Sequence, residues 1–388
     1  MDRREHTPSA AVSAGIAIRC TVRDGRVAAV SLIPRRPDPV ERLAVGRTPS
    51  EAVGLFASLF SLCPEAHCLA ASQALAAAAG MAMAPGVLNR QEARRELEII
   101  KEHSLNLLLQ QPAADPRLAQ GLVTGYGALR AALGGSRIHG PAETPPAVDT
   151  AAAQAALDAW EKMLQALCGE FWRWPDPDLD ALQHWQARRD SPAARLLHRH
   201  AQPGWPAFGR CTAALLPPLP PACLESWLSG QPAELATPTW EGRTRETGSY
   251  ARQAETPLIR DARAGHGNGL YTRTLARLVE LKALFHSVRL RLAHDATPAS
   301  PRPKQDGGTG LAQTEASRGR LIHRAELARG RVSSYRILAP TEWNFHPLGL
   351  LNSALTGVPA TTELPAQIDA LLRAVDPCVD FRLTLDHA

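Results

Sequence analysis

The stretch Leu62-Cys63-Pro64-Glu65-Ala66-His67-Cys68 constrains this chain more than any other. Proline lacks an N–H and has a fixed φ, so a helix accepts it only in the first turn. Pro64 therefore opens a helix and Cys63 sits at its N-terminus, where free N–H groups and the macrodipole favour a thiolate. His67 follows four residues later, close enough to touch the Cys63 sulfur across one turn. Far along the chain, Asp376-Pro377-Cys378 repeats the thiol beside a proline. This predicts a fold that brings the two regions together.

The neighbouring sequence supplies more helix starts. In Thr48-Pro49-Ser50-Glu51, Thr48 is the N-cap, Pro49 the first helical residue and Glu51 the capping-box acid. That helix runs to about Leu62, and the Ala-rich helix opened by Pro64 to about residue 82. A third begins near Asn89, with Glu92 at the capping-box position and Ala93, Leu97, Ile100, Ser104 and Leu107 along one face. Before them, residues 14–33 alternate around Asp24-Gly25 and predict a hairpin. Residues 1–12 read as a disordered lead and Pro34 to Pro39 as a loop.

Downstream, residues 112–148 hold many Gly and Pro and read as irregular. Val148 to about Trp172 is helical, and short helices alternate with Pro-rich turns from Trp174 to Pro238. Tyr271 to about His294 is a long helix, and residues 295–309 have linker composition. Two strands, Gly319–Ala325 and Val332–Leu338, flank a turn at Gly330, and a last helix covers roughly Pro365–Ala374. The expected fold is a single α+β domain, mainly helical, with a central helix bundle and a small N-terminal sheet.

Composition narrows the function. The 388 residues carry 43 basic and 38 acidic side chains, interspersed, for a net charge of +5. No basic block with interleaved aromatics appears, which argues against nucleic acid as a partner. No apolar run reaches the length of a membrane span, and Met1 to His6 lacks a secretory signal core. Seven cysteines without a CxxC pair fit a reduced, cytoplasmic protein better than a disulfide scaffold.

Five motifs and one helix, in one order along nearly the whole chain, resemble the nickel–iron hydrogenase large subunit. Val45-Gly46-Arg47-Thr48-Pro49 is similar to that family's G-R-x-P, and Cys63-Pro64-Glu65-Ala66-His67 to the end of its C-G-x-C-P-x-x-H. Arg94 to His103 resembles the next helix. Glu315-Ala316-Ser317-Arg318-Gly319 resembles E-A-P-R-G, Pro340-Thr341-Glu342-Trp343-Asn344 resembles P-T-x-W-N, and Asp376-Pro377-Cys378 resembles the start of D-P-C-x-x-C.

The departures carry as much information. The enzyme binds its metals with two CxxC pairs, but here Phe60 and Phe381 replace one cysteine of each pair. Nickel, which in that family takes four soft thiolates, is not expected. Arg19 stands at the place of a proton-handling Glu, and Thr384 at the place of the enzyme's terminal His. The pocket for the iron's diatomic ligands is kept: Arg318, Pro340 and Thr341 match positions that surround the cyanides. Guanidinium and hydroxyl donors suit cyanide nitrogen. His67 matches a His that hydrogen-bonds a cysteine ligand.

This combination resembles hydrogenase maturation proteins of the HupK/HoxV type. The resemblance implies a non-catalytic scaffold that transiently holds an Fe(CN)2CO unit through Cys63 and Cys378. Its implied partners are the maturation chaperones that build the unit and the hydrogenase large-subunit precursor that receives it. Cys63 and Cys378 do not match the enzyme's own iron pair, so either the geometry differs or Cys68 or His67 completes the site.

Other residues have plainer readings. Cys20, Cys168, Cys211 and Cys223 read as packing residues, and Cys68 as packing more than ligation. Glu315 reads as a structural partner for a nearby arginine and Asp376 as a turn-fixing residue. The remaining histidines, including His198 and His200, read as solvated.

Overall fold

Prolines open the first three helices. In the computed structural model, which describes residues 15–35, 40–135, 140, 147–230, 235–293 and 307–387, α1 spans Pro49–Leu59, α2 Pro64–Ala78 and α3 Pro85–Leu109. The capping box forms as expected: Thr48 N donates to Glu51 Oε2 at 2.8 Å, and Glu51 N donates to Thr48 Oγ1 at 3.4 Å. The third helix starts earlier than Asn89 because Pro85 is its first residue. Glu92 then lies inside the helix and pairs with Arg95 at 2.7 Å instead of capping.

The hairpin is present as β1 (Gly15–Arg23) and β2 (Arg26–Arg35), with Asp24 and Gly25 both in the left-handed region. Pro34 and Arg35 extend β2, so the expected loop starts later. Its remainder at 36–39 and the expected lead at 1–12 lie outside the described residues.

Residues 112–148 depart from the irregular expectation, for Pro116–Ala132 is a helix, α4. Two of its glycines serve contact rather than turning. A Cβ on Gly125 would meet Trp160 Cδ1 at 2.2 Å, and one on Gly121 would meet Met163 Sδ at 2.8 Å. Both partners belong to α5 (Thr150–Cys168), so the glycines let two backbones approach closely.

After a 3-10 turn at Gly169–Arg173 come α6 (Leu179–Arg188), α7 (Pro192–His200), β3 (Ala214–Leu215), α8 (Pro221–Leu228) and β4 (Arg245–Glu246). Then follow α9 (Ser249–Gln253), α10 (Pro257–His266) and the long α11 (Leu270–Ala293). Three strands run β5 (Gly308–Ala316), β6 (Gly319–Ala328) and β7 (Arg331–Leu338). The expected linker at 295–309 is described only from 307, and Gly308 and Thr309 already belong to β5. The described chain ends with α12 (Pro340–Asn344), α13 (Leu350–Leu355), α14 (Leu364–Val375) and β8 (Asp380–His387).

Sheet order explains how distant regions meet. β8 pairs in parallel with β1, from Gly15 opposite Asp380 to Val22 opposite His387, giving the order β2-β1-β8. Antiparallel β5-β6-β7 forms a second sheet, and β3 pairs with β4 in a two-stranded one.

The largest core gathers α3, α4, α5, α7 and α11 around Leu97, Leu122, Trp160, Leu197 and Leu278. Ile18 of β1, Leu351 of α13 and Leu371 of α14 anchor a second. A third seats α1 and α2 on the β5–β7 sheet through Phe56, Leu75, Ala325 and Tyr335. Helix α2 is buried on nearly every face, which its alanines permit, since small side chains let neighbours approach from all directions. A Cβ on Gly310 would meet Ala74 O at 2.0 Å, so β5 lies against the helix backbone. His200, expected to be solvated, is fully buried because it faces α11, where Nδ1 meets Thr274 Oγ1 at 3.0 Å.

Candidate functional site

Arg318 sits in the turn between β5 and β6, and its backbone is clamped. Gly319 has φ +130°, and a Cβ there would meet Thr247 Cγ2 at 2.4 Å. Asn344 completes the clamp: its Nδ2 donates to Arg318 O at 3.1 Å, and its Oδ1 accepts from Thr247 N at 2.9 Å. The last residue of the P-T-E-W-N stretch thus holds the arginine of E-A-S-R-G.

The guanidinium is buried beside Glu102 at 3.2 Å, Asp376 at 3.5 Å and Ser317 Oγ at 3.1 Å. Burial alone would lower its pKa, but Asp376 and then Glu102 outweigh that and keep it charged.

Cys378 arrives through the end of α14. Asp376 takes the left-handed region at φ 63°, as its turn-fixing reading expects, and Pro377 leads into Cys378. The Cys378 sulfur lies 2.9 Å from Thr341 Oγ1 in the first turn of α12, a hydrogen bond in which either atom can donate. Pro340 is buried as the first residue of that helix.

Cys63 packs on the other side, against a cluster containing Ala66, Ala70, Ala316 and Leu321, alongside Ala339. The charge of Cys378 raises the Cys63 thiol and that of Arg318 lowers it. The fold therefore brings Cys63, Cys378, Arg318, Pro340 and Thr341 to one place.

One expectation fails here. The N-terminus of α2 does not favour a Cys63 thiolate, because a carboxylate from α3 already occupies it. Glu98 accepts from Glu65 N at 2.8 Å and Ala66 N at 3.3 Å. Burial first, and then the charges of Glu98 and Cys378, push the Cys63 thiol well above its ordinary value. Burial raises Cys378 too, against the Thr341 hydrogen bond. Both thiols are protonated at neutral pH, so a thiophilic metal has to displace their protons to bind.

Glu98 itself is pushed up to about 8 by burial and by Glu65. Glu65 is tied to Arg94 at 2.9 Å and to Arg130 at 2.7 Å. Spacing alone could not single out Glu98 and Glu102, because charged residues one turn apart on α3 read as a solvated face.

His67 is buried, and its Nδ1 lies 3.0 Å from His323 Nε2, while His323 Nδ1 lies 2.8 Å from the Tyr335 hydroxyl. His67 N donates to Cys63 O at 3.1 Å within the helix start, but among the described residues no hydrogen bond joins the His67 ring to the Cys63 sulfur. Burial, and then His323, hold His67 well below the usual imidazole range; burial holds His323 at about 3. His323, read with the remaining histidines as solvated, is fully buried because β6 lies between α2 and the Tyr335 hydroxyl, and the sequence did not single out Tyr335.

Cys68 points elsewhere: its sulfur donates to Val53 O of α1 at 3.5 Å, within the apolar contact of α1 and α2. Its packing reading is the one the geometry fits. Glu315 pairs with Arg252 at 2.8 Å and with Arg320, as a structural partner does.

The two phenylalanines at missing-cysteine positions have settled into packing. Phe60 stacks flat on His67, and Phe381 of β8 packs against the core beneath the N-terminal sheet. Arg19 lies opposite Thr384 in that sheet and pairs at the surface with Asp386 at 3.3 Å. Among the described residues, no group of three or more His, Cys, Asp or Glu is placed to hold a metal ion. No helix among them is long and apolar enough to cross a membrane.

Comparison with known proteins agrees with the fold. Residues 258–380 match the family model for nickel-dependent hydrogenase. The chain is 30% identical to the hydrogenase expression/formation protein HupV of Azotobacter chroococcum mcd 1, over 96% of this chain and 98% of that one. It is also 30% identical to HupK of Rhizobium leguminosarum bv. viciae (96% and 97%) and to HoxV of Cupriavidus necator (94% and 94%). Among solved structures, the Ni-Fe-Se hydrogenase of D. vulgaris Hildenborough superposes with a TM-score of 0.67 at 17% identity, covering 92% of this chain and 94% of that one. The Ni-Fe-Se hydrogenase of Desulfomicrobium baculatum gives a TM-score of 0.64 at 16% identity, covering 92% and 95%.

Proposed function

The chain belongs to the family of hydrogenase expression/formation proteins, built on the large-subunit fold of nickel-dependent hydrogenases, and from that premise we propose that it acts in hydrogenase maturation as a non-catalytic carrier of an Fe(CN)2CO unit. The observation that carries this reading is the convergence of two thiols with an arginine and a threonine hydroxyl. Cys378 hydrogen-bonds Thr341 Oγ1, Arg318 lies beside Asp376 two residues before Cys378, and Cys63 packs alongside Ala339, next to Pro340.

The residues fit such a cargo. An iron that brings three diatomic ligands asks fewer ligands of the protein than a bare ion does, and two thiolates suit it. Cyanide nitrogen is a strong acceptor, and Arg318 Nε is a buried donor without a partner. Pro340 adds an apolar wall. Nickel with its four thiolates has no such match here. Protonated thiols and a sparse ligand set make the hold reversible, as a carrier requires. The unit would come from the chaperones that build it and pass to the hydrogenase large-subunit precursor.

Infrared spectroscopy tests this on protein purified without oxygen after co-production with the maturation machinery. CN and CO stretching bands are expected, and Cys63→Ser or Cys378→Ser should lose them. Absence of the bands in the unsubstituted protein overturns the carrier. Stoichiometric nickel with hydrogen uptake would make the chain a catalytic subunit instead.

A further inference from the structure

Behind His67 runs a chain of two contacts that the carrier reading does not use. His67 Nδ1 faces His323 Nε2 at 3.0 Å, and His323 Nδ1 faces the Tyr335 hydroxyl at 2.8 Å. Aromatic packing holds the rings. Phe60 stacks on His67 with centroids 3.5 Å apart, and Phe56 meets His323 edge-on at 5.8 Å and Tyr335 at 4.9 Å.

We propose that Tyr335 and His323 are positioning residues which fix His67 as the tautomer protonated on Nε2, so that its Nε2–H is presented as a free donor. The proposal deepens the carrier reading and rests on it for what the donor meets, namely an acceptor brought by the iron unit or a metal-bound thiolate.

Both rings are buried, and no carboxylate hydrogen-bonds to either among the described residues, so each is neutral and carries one N–H. Two polarities satisfy the two contacts. In the first, the Tyr335 hydroxyl donates to His323 Nδ1, and His323 Nε2–H donates to His67 Nδ1. His67 then carries its proton on Nε2, and that N–H is the one group left over.

In the second polarity every bond reverses. His67 Nδ1–H donates to His323, whose Nδ1–H donates to the Tyr335 oxygen. The hydroxyl hydrogen then needs another acceptor, and His323 is the one hydrogen-bond partner of Tyr335 among the described residues. That arrangement strands two groups, the buried hydroxyl hydrogen and the His67 Nε2 lone pair. A buried unpaired hydroxyl is costly, so the first polarity prevails.

A consequence separates two roles for His67. A ring nitrogen that carries a proton has no lone pair for a metal, and Nδ1 is occupied by His323. His67 is therefore a hydrogen-bond donor and not a metal ligand, and Tyr335 decides this from inside the sheet.

The test needs no cargo. Full-length, iron-free protein labelled with nitrogen-15 histidine is read by long-range proton–nitrogen correlation, with His67→Gln and His323→Gln assigning the signals. His67 and His323 should each carry the proton on Nε2 and none on Nδ1. Tyr335→Phe removes the donor that sets the direction, and both rings should then show mixed tautomers. A proton on His67 Nδ1 in the unsubstituted chain overturns the proposal, as do unchanged patterns in a folded Tyr335→Phe variant. If that variant does not fold, as circular dichroism will show, the unsubstituted chain's tautomers decide alone. Failure of the carrier reading appears separately, as missing CN and CO bands in a protein whose tautomers are as expected.

Discussion

The Phe60 ring lies parallel to the His67 ring, with centroids 3.5 Å apart and planes inclined by 5°. Phe60 stands three residues before Cys63, where the hydrogenase pattern has a cysteine. The position of the family's cysteine has thus become packing for His67.

Phe60→Cys rebuilds a CxxC pair and should tighten metal retention. Iron-loaded variant protein is expected to keep its CN and CO bands longer than the unsubstituted chain when challenged with a chelator. Equal or faster loss would show that position 60 does not reach the site.

Arg318→Gln should be costly. The buried guanidinium is the shared partner of partly buried Glu102 and Asp376, and removing one side of a buried pair typically costs about 3–5 kcal/mol. Urea unfolding measures the loss. A drop below about 1 kcal/mol would mean that Lys101, 2.7 Å from Glu102, or Arg277, 3.8 Å from Asp376, compensates.

His200 should give the fold an acid-sensitive limb. It is fully buried, and burial first, then Arg199, holds its imidazole at about 3. The unfolded chain takes up its proton below about pH 6.5 while the folded chain does not, so this contribution is full above that pH and falls as pH drops. The slope for one such group approaches about 1.4 kcal/mol per pH unit. Thermal melts of His200→Gln between pH 6.5 and 4.5 should show a shallower acid decline, and an unchanged slope counts against the assignment.

Gly125→Ala should destabilise by about 1–3 kcal/mol, the usual range for forcing extra volume into a packed contact. The added methyl would sit 2.2 Å from Trp160 Cδ1. Stabilisation in a thermal melt, the ordinary result of replacing a helical glycine by alanine, would refute the close contact of α4 with α5.

That glycine also shows where sequence reading reaches its limit. Glycine marks a turn when it supplies a left-handed residue, as Gly25 does, and a close approach when it lies inside a helix, as Gly125 does. Spacing cannot tell these apart without the tryptophan that faces it from another helix. Proline is less ambiguous: Pro49 and Pro64 each open a helix as expected, since a ring without an N–H has few places to go.

At the site, Cys63, Cys378, Arg318, Pro340 and Thr341 were legible because each lies in a local motif. Glu98, Glu102, His323 and Tyr335 were not, because each acquires its role from a partner far away in sequence. The misplaced thiolate at Cys63 has the same origin, since the carboxylate that fills the helix terminus comes from Glu98, thirty-five residues on.

The parallel pairing of β8 with β1 has a consequence for handling cargo. Cys378 stands two residues before β8, so one of the two thiols lies on the short segment that joins α14 to the strand. On the carrier proposal, thermodynamic linkage would add whatever a cargo gained by bridging Cys63 to Cys378 to the docking of β8, and whatever loosened the strand would be subtracted from the grip on the cargo. A receiving protein would then need only to offer β1 another strand.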